Sequence, residues 1–269
     1  MNQHLQRCLT GLIGTPLLIA FVSFTSEKVF SLFILLLIQI AVWEYNRLAF
    51  GSEGYGREKC SIVIFATAIA IASYSCNFAV LTAVLTFSLL LSALLFLLQI
   101  KAAAIEMSNM GKVLLGFMYM PLLISSFIFM RQTIHGVQWI IFTLALAFSG
   151  DIAGLYAGKL FGKRSLQVNL SPGKTVEGTL GVLLGSTLGG MVFQHFFFQE
   201  LPLMDAAILG FFGGIMGQLG DLFESALKRS ADVKDAGRII PGHGGVMDRL
   251  DSVSFIAPLI CYYQYLLLR

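Results

Sequence analysis

The chain has 269 residues, of which 57% are hydrophobic and only 12% charged, with a mean hydropathy of +0.80. Soluble domains are roughly 25% charged, so a soluble globular fold is excluded and a polytopic membrane protein is expected. The net charge of +3 is too small to point to nucleic acid, and the position of each charge matters more than the total.

Apolar runs long enough to cross or nearly cross a bilayer, about 17 to 25 residues, occur nine times. They cover approximately 9-26, 29-49, 61-76, 78-99, 113-131, 136-160, 177-198, 202-222 and 252-268. The expected fold is therefore all-α, with about nine transmembrane helices. The first run has no small-residue cleavage site behind it and reads as a retained span, not a signal peptide. The third is short, and only Cys76 and Asn77 divide it from the fourth. Pro16, Pro121 and Pro258 fall inside runs and predict kinks. The cysteines, Cys8, Cys60, Cys76 and Cys261, are scattered without metal-ligand spacing and read as small apolar fillers.

The basic residues test this count, because positively charged loops stay in the cytoplasm. Alternating spans put fifteen of them on one side, including Arg47, Arg57, Lys59, Lys112, Lys159, Lys174, Lys228 and Arg249. The other side receives three, Lys28, Arg131 and Arg269. The amino terminus is thus expected inside and the carboxyl terminus outside.

Composition shifts near residue 110. Residues 1-110, about four helices, carry five of the 27 glycines and five of the fifteen carboxylates. Residues 111-269, about five helices, carry the rest and are expected to form the catalytic region. There Gly150, Gly154, Gly158 and Gly162 recur every four residues, as do Gly181, Gly185 and Gly189, and Gly213 with Gly217. Small residues at that spacing let helix backbones approach closely. A glycine-rich bundle around a cytoplasm-facing polar pocket is expected.

Each ionisable residue at a helix centre in the membrane costs about 2.5 to 3.5 kcal/mol on insertion scales and so needs a reason. Asp151 falls eight residues before Lys159, roughly 12 Å inside the inner surface. Lys174 and Glu177 open the seventh run, Asp221 closes the eighth, and Asp248 with Asp251 opens the ninth. Glu44, beside Trp43 and Tyr45 at the inner end of the second run, could join these acids but reads first as an interfacial anchor. Helical spacing puts Asp221, Glu224, Ser225 and Lys228 on one stripe, and Asp248, Asp251 and Ser252 on another. Carboxylates with hydroxyls suit a hard cation such as Mg2+, and adjacent bases with a Gly-rich turn suit phosphates. A mutually neutralising ion-pair loop is the alternative. In the other polar loop on this side, 163-178, Gly-Lys-Thr invites a P-loop, but Val168 stands where that motif needs glycine. A lysine and hydroxyls leading into a helix start can still hold a phosphate.

The run Ser225-x-Leu227-Lys228-Arg229-x4-Lys234-Asp235-x-Gly237-x2-Ile240-Pro241-x-His243-Gly244-Gly245-Val246-x-Asp248-Arg249-Leu250-Asp251 resembles the signature of the phosphatidate cytidylyltransferase family. So do Asp151-x6-Gly158-Lys159-x-Phe161-Gly162-Lys163 and Ser171-Pro172-x-Lys174-Thr175-x2-Gly178. The tyrosine often found four residues after the aspartate is Leu155 here, followed by Tyr156. The likeness covers about 150 to 269.

The resemblance implies transfer of a cytidylyl group from CTP to phosphatidic acid, giving CDP-diacylglycerol and pyrophosphate. It also implies Mg2+ and an integral membrane enzyme, often a homodimer, with the bacterial inner membrane as the expected setting. On this reading Asp221, Glu224, Asp248 and Asp251 hold one or two metal ions, and Lys174, Lys228 and Arg229 neutralise phosphates. Asp151, Ser171, Thr175, Ser225 and Lys234 bind or support substrate. His243 either contacts phosphate, donates a proton or stabilises its turn. Two alternatives stay open from the residues: an isoprenoid lipid phosphate as acceptor, and a cation or phosphate transporter.

Overall fold

The computed structural model describes residues 3–51, 54–98, 107–167, 170–237, 239 and 244–267, with side chains from residue 14 to 266 among them. Each of the nine apolar runs becomes helical. The helices are α1 (Gln3–Phe24), α2 (Glu27–Phe50), α3 (Gly56–Tyr74), α4 (Phe78–Leu98), α5 (Met107–Met118), α6 (Met120–Arg131), α7 (Gly136–Phe161), α8 (Val176–Phe197), α9 (Leu203–Ser230) and α10 (Met247–Leu267).

The fifth run holds two of these helices. Pro121 has no amide to donate and its ring clashes with the preceding turn. The helix accordingly breaks at Tyr119 (φ −74°, ψ −99°) and restarts at Met120. Pro16 and Pro258 sit inside unbroken helices. The narrow division between the third and fourth runs is a real turn. Cys76 takes a positive φ of 49°, and the Asn77 side chain accepts the Ala79 N–H at 2.9 Å to start α4. The described cysteines, Cys60, Cys76 and Cys261, are all free.

Among the described residues, six helical segments are long and apolar enough to cross a membrane: α2, α4, Met107–Arg131, α7, α8 and α9. The chain is a polytopic integral membrane protein. The expected nine spans exceed these six for local reasons. Arg57, Glu58 and Lys59 occupy the first turn of α3, and Tyr262, Tyr263 and Gln264 dilute α10. From α1, the described apolar stretch is Gly14–Phe24.

One departure from an all-α fold lies between α7 and α8. Strands β1 (Ser165–Gln167) and β2 (Ser171–Thr175) pair antiparallel, Ser165 opposite Thr175. Glu177, in the first turn of α8, anchors this hairpin by accepting the Lys163 N–H at 3.0 Å and the Arg164 N–H at 3.3 Å. The Thr175 hydroxyl caps α8 by accepting the Gly178 N–H at 3.0 Å.

Polar contacts gather at the two ends of the bundle, with a few between, such as Gln39 donating to Thr67 at 3.2 Å. At one end the Tyr45 hydroxyl donates to the Lys112 carbonyl (2.8 Å) and the Asn46 amide to the Lys59 carbonyl (3.3 Å). At the other, Arg131 donates to the Thr25 carbonyl (2.6 Å), and Tyr263 to Asp205 (2.6 Å). The apolar core runs continuously from Val22 to Cys261, so both compositional halves share it.

The glycine stripes explain how α7 to α10 pack. A Cβ on Gly185 would collide with the Ala153 side chain and lie 2.7 Å from the Ser149 carbonyl, so α8 rests directly on the α7 backbone. A Cβ on Gly210 would lie 2.7 Å from the Thr187 Cα, which brings α9 equally close to α8. With so little side chain between the helices, Asp151 of α7, Asp221 of α9 and Ser252 of α10 reach one small space.

Candidate active site

That space opens where α9 ends and α10 begins. The helices run past the apolar runs, so residues 221–230 complete α9 and 247–252 start α10. The polar stretch of the sequence is thus two helix ends joined by residues 231–246.

Lys228 organises one half of the site. Its Nζ lies 3.0 Å from Glu224 Oε1, one turn earlier on α9, and 2.8 Å from Asp248 Oδ1 on α10. The two carboxylate side chains are 0% and 6% exposed and the lysine 16%. One cation therefore bridges two buried acids on two helices. Asp248 also accepts the Gly245 N–H at 2.8 Å and the Ala236 N–H at 3.1 Å, which ties the connecting loop to α10. Burial works to raise the Asp248 carboxyl, but Lys228 and the Gly245 amide outweigh it and hold it below the ordinary carboxylate range.

The second half is more acidic. Lys174, on β2, pairs with Asp221 on α9. A narrow cavity beneath is lined by Asp151 of α7, Asp221 and Gln218 of α9, Ser252 of α10 and three glycines of α9. Asp251 feels the charges of both Asp221 and Asp151, and its Oδ1 accepts the Ser252 N–H at 2.7 Å. Asp151 and Asp221, from two helices, thus share one cavity, with Lys174 against Asp221 and Asp251 near enough to feel both charges.

Carboxyl groups outnumber the two lysines here, so the arrangement offers oxygen donors to a cation, and a polyanion would need such a cation to be neutralised. The sequence matches the cytidylyltransferase family over residues 5–267, nearly its whole length.

The chain belongs to the cytidylyltransferase family.

Among its relatives, a phosphatidate cytidylyltransferase of Bacillus subtilis (strain 168) is 37% identical over 155 residues, 57% of this chain and 58% of that protein. One from Synechocystis sp. is 43% identical over 133 residues, 49% of this chain and 45% of that protein. An uncharacterized protein of Escherichia coli (strain K12) is 39% identical over 128 residues, 48% of this chain and 43% of that protein. The chain spans about half the length of the curated relatives it matches.

Other residues expected at this candidate site take varied positions. Ser225 is half-buried on α9, and Ser171 begins β2. Thr175 is committed to the α8 cap. Arg229 is exposed and donates to the Leu170 and Val233 carbonyls, each at 3.4 Å. Lys234 is exposed, lining a cleft with Arg47 and Asp235. His243 lies outside the described residues, as does Arg238. Tyr156 is 60% exposed on α7.

Gln218 was not assigned to the candidate site from sequence, and Glu44 only as the second of two readings. Gln218 lines the cavity, and its buried Nε2 has no hydrogen-bond partner among the described residues. Glu44, expected as an interfacial anchor, is instead fully buried against the start of α10. The available signal was the cost of an acid inside an apolar helix. It marks such an acid as important without saying what it touches.

Proposed function

We propose that this cytidylyltransferase-family protein transfers the cytidylyl group of CTP to phosphatidic acid, giving CDP-diacylglycerol and pyrophosphate. The observation that carries the reading is the convergence of Lys228, Lys174 and five carboxylates on one end of the bundle, in a chain whose relatives include phosphatidate cytidylyltransferases. A phosphate oxygen of the lipid attacks the α-phosphorus of CTP, and the bond to the β-phosphate oxygen breaks to release pyrophosphate. The attacking phosphate is already substantially ionised at neutral pH. The protein's work is therefore alignment and charge stabilisation.

Lys174 and Lys228 would neutralise phosphate oxygens, with Arg229 and Lys234 at the exposed rim. Glu224 and Asp248 would hold Lys228 in place. Among the described residues no group of three or more acid, histidine or cysteine side chains forms a ready metal cluster. The donor chemistry nonetheless fits a hard cation, because Asp151, Asp221 and Asp251 offer oxygens alone and repel one another. Asp221 and Asp251, with Asp151 beside them, would hold Mg2+. When bound, the ion would supply positive charge to the triphosphate. The excess of basic residues at this end supports a cytoplasmic active site, and an inner-membrane setting agrees with relatives from bacteria.

The direct test gives detergent-purified protein CTP, Mg2+ and either phosphatidic acid or an isoprenoid phosphate, and follows CDP-lipid and pyrophosphate. Stoichiometric products from phosphatidic acid are expected. No product from well-folded protein would overturn the reaction, and faster turnover of the isoprenoid phosphate would overturn the acceptor. Asp248→Asn removes the charge facing Lys228 and presents an amide to one of its donors. A loss of turnover of about 10²-fold is expected in the same assay. Near-normal turnover would remove Asp248 from the site.

A further inference from the structure

Glu44 lies on α2, far in sequence from the site, and is 0% exposed. Its Oε1 accepts the Val246 N–H at 3.0 Å and its Oε2 the Met247 N–H at 2.8 Å. The neighbouring amide, Gly245 N–H, is taken by Asp248. Three consecutive amides at the start of α10 are thus satisfied by two carboxylates, one of them from the opposite end of the chain. The loop is shaped around this acid. A Cβ on Gly245 would lie 2.5 Å from Glu44 Oε1, and one on Gly237 would collide with the same oxygen.

An interfacial anchor would keep its carboxylate in water, and a local serine or aspartate could cap α10 without burying a remote acid. A cap supplied by α2 does something more: it fixes α10 against a second helix. Asp248 lies one residue past the gripped amides and Asp251 one turn further. Their height and rotation relative to Lys228 on α9 follow from where α10 begins.

We infer that Glu44 is a positioning residue, whose grip on the first amides of α10 sets Asp248 and Asp251 in register with Lys228. The kinetic consequence rests on the cytidylyl-transfer reading above, whereas the grip itself rests on geometry alone.

Two measurements on the purified full-length chain separate these. Hydrogen exchange at the Val246 and Met247 amides is expected to be slow in the wild type. It should become at least about tenfold faster in Glu44→Gln, because one acceptor oxygen becomes a donor, with the middle of α9 unchanged. In the transfer assay, Glu44→Gln should lower kcat by about 100-fold with the KM for CTP changed by less than about threefold. Glu44→Asp, which keeps the charge, should recover part of the loss. Gly245→Ala should be damaging in the native background and add little in a Glu44→Ala background, where the space is vacated.

Unchanged exchange at 246 and 247 would overturn the grip. Unchanged kcat, a loss confined to KM, or fully additive losses in the double variant would overturn the positioning role. If Glu44→Gln fails to fold, Glu44→Asp and the Gly245→Ala pair decide the same question. A wild-type chain that makes no CDP-lipid would overturn the proposed reaction and with it the kinetic role, while exchange still decides the grip.

Discussion

Lys228→Met should abolish detectable cytidylyl transfer and also lower stability. The ammonium is the ion-pair partner of Glu224, which is fully buried, and binds Asp248, which is nearly so. Removing one partner of a buried ion pair leaves uncompensated charge and costs about 3 to 5 kcal/mol. The protein can escape part of that by protonating one acid, which would abolish the charge pattern that is proposed to receive phosphates. Losing a positioned cation on transferred phosphate adds a kinetic loss of about 10² to 10³-fold. Thermal unfolding in detergent and turnover measured well below the variant's midpoint separate the two effects. Lys228→Arg should recover much of the stability and less of the turnover, since a planar fork does not replace a compact ammonium between two carboxylates. A methionine variant with near-native turnover would show that Lys228 is structural only.

Gly185→Val should have the next largest effect, and through packing instead of charge. The position has no free volume: a first side-chain atom already meets Ala153 and the Ser149 carbonyl of α7. The obstacle is backbone and a short side chain, so nothing flexible can move aside. Overpacking of this kind costs about 1 to 3 kcal/mol, and more when backbones must separate. Separating α7 from α8 also carries Asp151 away from Asp221, so turnover should fall further than stability. Gly173→Ala is the control, because nothing among the described residues lies within 4 Å of the added carbon. Folded yield by size-exclusion chromatography and unfolding midpoint check both variants. A Gly185→Val protein as stable as Gly173→Ala would refute the direct contact of α7 and α8.

Much of this molecule was legible because the signals are local. An apolar run reports its own helix, Pro121 its own break, and Asp221, Glu224 and Lys228 their shared stripe, since a 3.6-residue period needs only neighbours. The hairpin at 165–175 was missed because so short a pair of strands carries no periodicity of its own and is held by Glu177 from the following helix. Glu44 was ambiguous in the sequence for a related reason. Its partners are 202 and 203 residues away, and no pattern around it names them.

The sequence by itself determined a polytopic helical protein with its acids and bases gathered at one end, because hydropathy, periodicity and charge asymmetry are sums over nearby residues. Only the tertiary structure decided which acid meets which base: Lys228 between Glu224 and Asp248, Lys174 on Asp221, and Glu44 on α10. Carboxylates are chemically alike, and an ion pair or hydrogen bond forms only when its atoms come within about 3 Å. That separation is set by how the glycine-faced helices pack, which the order of residues along any one helix does not reveal.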